Sequence, residues 1–171
     1  MTKKLFLSIS VATALAFATS PAALAQSKGG QQFLKKAIEG NLAEVQMGKL
    51  AQEKGTRDGV RSFGKQLEQD HAAANDKASA AASEAGLTPP TEPNKKQKAE
   101  YDRMSKLSGD KFDRTFVRHM VADHKKDIKE YQQEAKKNDA ASGYAKDALP
   151  TLEKHLQAAQ SLEGRGTTGS R

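Results

Sequence analysis

Apolar residues recur every three or four positions along most of the chain, the spacing that places them on one face of an α-helix. This pattern predicts four long helices and one short helix, at about 31–54, 58–85, 94–107, 111–137 and 143–162. Gly55 and Gly86 are suited to ending the first two helices, and the Pro-rich stretch "LTPPTEPN" separates the second helix from the short one. No segment alternates between apolar and polar residues as a half-buried strand does.

Each long helix has one apolar face and would be marginal in water alone, so we expect the four faces to be buried together. The predicted fold is all-α, a four-helix bundle with one additional short connecting helix. Thr56 is a candidate N-cap for the second helix. Pro150 should kink or split the last helix, because proline lacks an N–H group. The connection after residue 85 is long enough to make the helix at 111–137 either parallel or antiparallel to its predecessor.

Three of the four histidines fall on these apolar faces, and two of them follow an aspartate, in "QLEQDHAAA" and "MVADHKKDI". His71 lies near the edge of its helix face, whereas His124 and His155 lie well within theirs. The fourth, His119, is about 140° from His124 around the helix and should face solvent or the flank of the bundle.

The heights of these residues along the bundle agree. His124 and His155 are each about 23 Å from the turn that joins their helices, at 1.5 Å per residue. His71 is near the middle of the second helix, with Asp70 beside it, and Glu44 lies in the middle of the first, on the flank of its apolar face. We therefore expect a polar layer at mid-height.

Three interpretations of this layer stay open. Polar side chains that bond across a bundle can fix the helix register. The same groups could instead hold a divalent transition metal (Zn, Fe, Mn or Cu), with metal ligands from His71, His124, His155, Glu44 and Asp70. A general acid or base without metal is the third interpretation, although no cleft is indicated.

The N-terminus has the pattern of a secretory signal peptide: Lys3 and Lys4, an apolar run, and the small residues Ala23–Leu24–Ala25. We expect residues 1–25 to be this leader, 26–30 a flexible N-terminus, 31–162 the bundle domain, and 163–171 a disordered Gly- and Ser-rich tail. The prediction places the protein in the periplasm and leaves open whether it is soluble or attached to the envelope.

Charge and composition limit the partners and the kinds of site that we expect. Removing the leader takes the formal charge from +7 to +5, which allows weak association with an anionic envelope surface, while export argues against nucleic acid as a partner. The chain has no cysteine, which excludes disulfides, thiol chemistry and iron–sulfur clusters. The oligomeric state stays open.

Four stretches, "AIEGNLAEVQMGKLAQEKG", "VRSFGKQLEQDHAAAN", "LSGDKFDRTFVRHMVADHKKDI" and "ALPTLEKHLQAAQSL", together resemble a family of exported bacterial proteins of unknown function. Members are often described as membrane or outer-membrane proteins, and the resemblance implies a ferritin-like bundle over about 32–162. The polar positions of that family fall here on Glu44, Asp70, His71, Phe112–Asp113, His124 and His155.

The resemblance does not imply ferritin chemistry. Di-iron bundles take a Glu from each of two helices and a Glu-x-x-His motif from each of the others. Only "EQDH", residues 68–71, has that form here, and Val121 stands where His124 would need a glutamate. We expect a non-enzymatic envelope or stress-related binding module, or alternatively a metal-binding protein with a His-rich site at mid-bundle.

Overall fold

The computed structural model describes the backbone of residues 27–168 and the side chains of residues 27–164. Five helices follow one another: α1 (Lys28–Lys54), α2 (Asp58–Glu84), α3 (Lys95–Ser105), α4 (Gly109–Glu134) and α5 (Ala140–Thr168). The all-α prediction is confirmed, with four long helices in a ferritin-like bundle and α3 as the short connecting helix. The predicted leader lies outside the described residues.

Contacts between helix ends settle the orientation that the sequence left open. Thr56, before α2, donates its backbone N–H to Asp113 in the first turns of α4, so both helices start at the same end of the bundle. At the other end, Gln31 in α1 donates to the carbonyl of Ala85, and the rings of Phe33 and Tyr131 lie 4.8 Å apart. Helices α2 and α4 are therefore parallel, and residues 85–108 cross the length of the bundle.

Several helix boundaries differ from the predicted ones. Helix α1 starts at Lys28 rather than 31 because the Ser27 hydroxyl caps Gly30 N–H at 2.9 Å, so only the first residues of the expected flexible segment precede it. Helix α5 continues to Thr168, beyond the predicted end of the last helix at 162. Pro150 does not split α5: the helix is continuous through this residue, which lies on its exposed side.

Two apolar clusters fill the bundle, one at each end. The cluster at the α1–α2 turn is built around Leu67, Phe112 and Phe116, and the other around Leu34, Ile38 and Tyr144. The level between them holds a layer of buried polar side chains: Asn41, Glu44, His71, His124 and His155.

Helices α1 and α2 cross at a pair of glycines. A Cβ atom on Gly48 would lie 2.5 Å from the carbonyl oxygen of Gly64, and one on Gly64 would lie 2.7 Å from the carbonyl oxygen of Gly48. Helix α1 packs mainly on α2, and α4 mainly on α5. Helices α1 and α4 approach each other less closely, and α3 covers part of the gap between them.

Thr56 does not cap α2 as predicted, because Asp113 engages it. The buried Asp113 carboxylate accepts from the Thr56 N–H and hydroxyl and from the Arg57 N–H and Nε–H, at 2.7–3.2 Å. These donors keep the pKa of Asp113 below its usual value against the opposing effect of burial. Asp113 therefore fixes the α1–α2 turn on α4.

Candidate metal centre

Three histidines from three helices meet in the polar layer. His71 of α2, His124 of α4 and His155 of α5 are all buried, and one nitrogen from each ring lies within 4.8 Å of the other two. His124 Nε2 and His155 Nδ1 are 3.3 Å apart. The prediction from helix heights that these residues are level is confirmed.

The other ring nitrogen of each histidine faces a hydrogen-bond acceptor. His124 Nδ1 lies 3.0 Å from the carbonyl oxygen of Met120, and His155 Nε2 lies 2.8 Å from the Asp70 carboxylate. Because neither acceptor can donate, both of these nitrogens carry the proton. The unprotonated nitrogens are then His124 Nε2 and His155 Nδ1, the two that face each other.

His71 follows the same rule through Asn41. The Asn41 amide nitrogen donates to the Tyr144 hydroxyl at 2.9 Å, so its oxygen is left to accept from His71 Nδ1 at 3.0 Å. His71 Nε2 is then unprotonated, and it is buried with no hydrogen-bond partner among residues 27–164. Three nitrogen lone pairs therefore share one small region of the core.

The dimensions suit a metal ion. Zinc–nitrogen bonds of about 2.0–2.1 Å at tetrahedral angles separate two ligand nitrogens by about 3.3 Å. The nitrogens of His124 and His155 are already 3.3 Å apart. The nitrogen of His71 lies within 4.8 Å of both, so each of these distances would shorten by at most about 1.5 Å on metal binding. Fixed acceptors behind each ring are the usual way in which proteins orient histidine ligands.

Burial keeps all three rings neutral, which is the form that binds metals. Desolvation, and after it the neighbouring His155, lower the pKa of His124 from 6.5 to about 4. The pKa of His71 is well below its usual value for the same reasons. The pKa of His155 is also lowered by burial, although its hydrogen bond to Asp70 opposes the shift.

The two carboxylates predicted as ligands are not part of this group. Among the side chains described, the residues close enough to share one ion are the three histidines, without Glu44 or Asp70. Asp70 instead lies behind His155, with its side chain 40% exposed. Glu44 is not on the flank of α1 but buried, because α1 turns its 37–41–44–48 face into the bundle.

Glu44 borders a groove of about 550 Å³ between α1 and α4, flanked by α3. Asp123, Asp127 and His71 also line it, so the groove reaches the histidines. His119 lies at its rim, with Nδ1 3.6 Å from the Glu100 carboxylate of α3, away from the three buried histidines as predicted. A second cavity of about 150 Å³ lies between α2 and α5, and His71 lines that one too.

Sequence reasoning missed Asn41 and Tyr144 as partners of the site. The signal was available for Asn41, an amide in the middle of an otherwise apolar helix face. Glu68, the first residue of the single Glu-x-x-His motif, faces α1, where it accepts from Gln52 at 2.7 Å. Glu68 is therefore not directed at the three histidines.

Comparisons with known proteins bear on the family and the fold. A family profile described as "Domain of unknown function (DUF4142)" matches residues 15–162. The crystal structure of a DUF305 fragment from Deinococcus radiodurans is similar at a TM-score of 0.72 and 15% identity, over 82% of this chain and 98% of that one. No curated protein matches the chain. None of the helices in the described range is both long and apolar enough to cross a bilayer.

Proposed function

We propose that this chain, which belongs to the family of domains of unknown function DUF4142, binds one divalent transition-metal ion through His71 Nε2, His124 Nε2 and His155 Nδ1. One observation carries the proposal: the unprotonated nitrogens of three buried histidines converge while each opposite N–H donates to a fixed acceptor. Asp70 orients His155 and raises its basicity, and is not itself a ligand.

A purely structural polar layer accounts less well for this arrangement. Such a layer alternates donors and acceptors, because a buried polar atom without a partner costs about 1–3 kcal/mol. Here two lone pairs face each other at 3.3 Å and a third, on His71 Nε2, has no partner. A cation between them would satisfy all three at once.

The ligand set favours particular ions. Three imidazoles suit zinc or copper, whereas manganese prefers carboxylate and water oxygens, and non-haem iron sites usually include a carboxylate. We therefore propose Zn²⁺ or Cu²⁺, with the remaining coordination position directed towards the groove that His71 lines.

Export of the protein to the periplasm is the second part of the proposal. It is supported by the leader pattern at residues 1–25, and it would place the site where metal ions from outside the cell first arrive. Mass spectrometry of the protein from a periplasmic extract tests it. The expected chain begins at Gln26, and a full-length chain in the cytosolic fraction would contradict export.

Metal analysis of untagged protein by inductively coupled plasma mass spectrometry, with thermal melts before and after chelation, tests the site. We expect about one Zn²⁺ or Cu²⁺ per chain after loading and a lower melting temperature after chelation. His124→Ala and His155→Ala should abolish stoichiometric binding, whereas His119→Ala, a histidine outside the cluster, should not. Failure of the unaltered chain to bind either ion would refute the proposal.

A further inference from the structure

The groove between α1 and α4 carries a pair of carboxyl groups on its inner wall. Glu44 projects from α1 and Asp123 from α4, and both side chains line the groove, near enough for the charge of Asp123 to act on Glu44. His71, a member of the three-histidine cluster, lines the same groove. The carboxyl pair therefore stands beside the route from solvent to the histidines.

Glu44 has no structural partner that explains its position. It is 5% exposed, and its Oε2 atom is buried without a hydrogen-bond partner in the described part of the chain. The nearby cation Lys126 is engaged elsewhere, 3.1 Å from Asp127 and 3.6 Å from Glu130. A buried carboxyl oxygen that lacks a partner among the described residues, in a groove that a second carboxyl group also lines, is suited to holding a cation.

The surroundings of the pair are acidic. Asp127 and Glu130 of α4 and Glu100 of α3 line the groove together with the pair, so that five carboxyl groups stand against three lysines: Lys36, Lys96 and Lys126. Burial and the charges of Asp123 and Asp127 raise the pKa of Glu44 well above its usual value. A divalent cation would relieve this repulsion, and the local field would concentrate cations in the groove.

We propose that Glu44 and Asp123 form a loading position that captures a hydrated divalent cation in the groove and passes it to His71 and then to the full three-histidine site. The inference rests on the proposed metal-binding function and adds the route of entry. Carboxylate oxygens hold a hydrated cation without stripping its water, whereas imidazoles bind transition metals more tightly, so transfer inwards is downhill.

The rate of metal uptake tests the loading role. Co²⁺ serves as the probe because a three-histidine site gives it a visible spectrum, which stopped-flow absorption can follow. Glu44→Gln should slow the association of Co²⁺ by about tenfold or more, which is within the range for loss of electrostatic capture. It should slow the dissociation of Co²⁺ by the same factor. The equilibrium affinity should stay unchanged, because Glu44 does not contact the ion in its final site.

Glu53→Gln is the matched control, since Glu53 is an exposed carboxylate on the same helix, α1, and outside the groove. It should leave both rates as they are. Equal association rates for the unaltered chain and Glu44→Gln would overturn the loading role. A loss of equilibrium affinity in Glu44→Gln would overturn it too, since Glu44 would then be a ligand of the final site.

A second probe separates the carboxyl pair from the histidines. Tb³⁺ prefers carboxylate oxygens, and Tyr131, which lines the groove, can sensitise its luminescence. We expect Tyr-sensitised emission in His124→Ala, where the histidine site is destroyed, and its loss when Glu44→Gln is added. Emission that survives Glu44→Gln would overturn the cation position. Tb³⁺ emission without any Co²⁺ binding would refute the three-histidine site, and with it the delivery of ions to that site.

Discussion

Replacing His124 with leucine in the metal-free protein distinguishes a metal site from a hydrogen-bonded polar layer. His124 is 2% exposed and lies at the centre of the cluster. Its Nδ1–H donates to the carbonyl of Met120, which also accepts from the backbone N–H one turn later in α4. That carbonyl is not left without a partner by the substitution.

The neighbouring histidines lose nothing either. His155 Nδ1 and His71 Nε2 are both acceptors, and His124 Nε2 has no proton to give them. The lost hydrogen bond costs about 0.5–1.5 kcal/mol, and burial of the leucine side chain offsets it by a similar amount. At pH 8 we expect the free energy of unfolding to change by less than about 1 kcal/mol.

At lower pH the variant should become the more stable protein. The pKa of His124 falls from 6.5 in the unfolded chain to about 4 in the fold, so the unfolded chain binds more protons between these values. The stability that neutral His124 contributes is therefore fully present above about pH 6.5 and is lost as the pH falls towards 4. For this residue alone the loss is about 2 kcal/mol at pH 5 and about 3 kcal/mol below pH 4.

Urea unfolding followed by circular dichroism, in chelator at pH 8 and pH 5, measures both quantities. A metal titration at pH 8 should show that His124→Leu no longer binds Zn²⁺ or Cu²⁺. A loss of 1–3 kcal/mol at pH 8, of the size expected when a buried partner is stranded, would refute the assignment of protons and favour a structural layer.

Three further substitutions test other parts of the structure. Asp70→Asn should weaken metal binding by about 10–100-fold without unfolding the chain, because the acceptor behind His155 loses its charge. Competition with a chelator measures the affinity, and an unchanged affinity would contradict the orienting role of Asp70. Glu44→Gln should become more stable relative to the unaltered protein as pH rises from 4 to 8, as measured by urea titration. The reason is that the raised pKa of Glu44 makes the folded chain keep a proton that the unfolded chain releases. A stability difference that falls with pH would contradict the raised pKa. Gly48→Ala should lower the free energy of unfolding by about 2 kcal/mol or more, because the new Cβ would lie 2.5 Å from a carbonyl oxygen of α2. Gly40→Ala should raise it by about 0.5–1 kcal/mol, because the nearest atom to its Cβ belongs to a flexible side chain 4.0 Å away. Thermal melts that shift equally for the two alanine variants would rule out a tight α1–α2 crossing.

The helices themselves could be predicted from the sequence because helical periodicity and stop signals are local. Gly86 ends α2 with a φ of 73°, the left-handed conformation that favours glycine. The level of His124 and His155 could also be predicted, because a constant rise per residue from a shared turn fixes their heights. The start of α1 was missed because the residues after its cap, Ser27, are mostly polar or glycine. The end of α5 was placed too early because the Gly- and Ser-rich residues after 162 have no apolar period.

Sequence alone thus determined an all-α bundle and which histidines face its interior. The tertiary structure decided the parallel course of α2 and α4, since only contacts such as Thr56 with Asp113 show which helix ends meet. It also decided the chemistry of the site. Which nitrogen of each ring holds the proton depends on acceptors supplied by α1, α2 and α4, and the burial of Glu44 depends on how α1 turns against its neighbours. Periodicity within one helix reports which face is buried, but not which groups from the other helices meet it there.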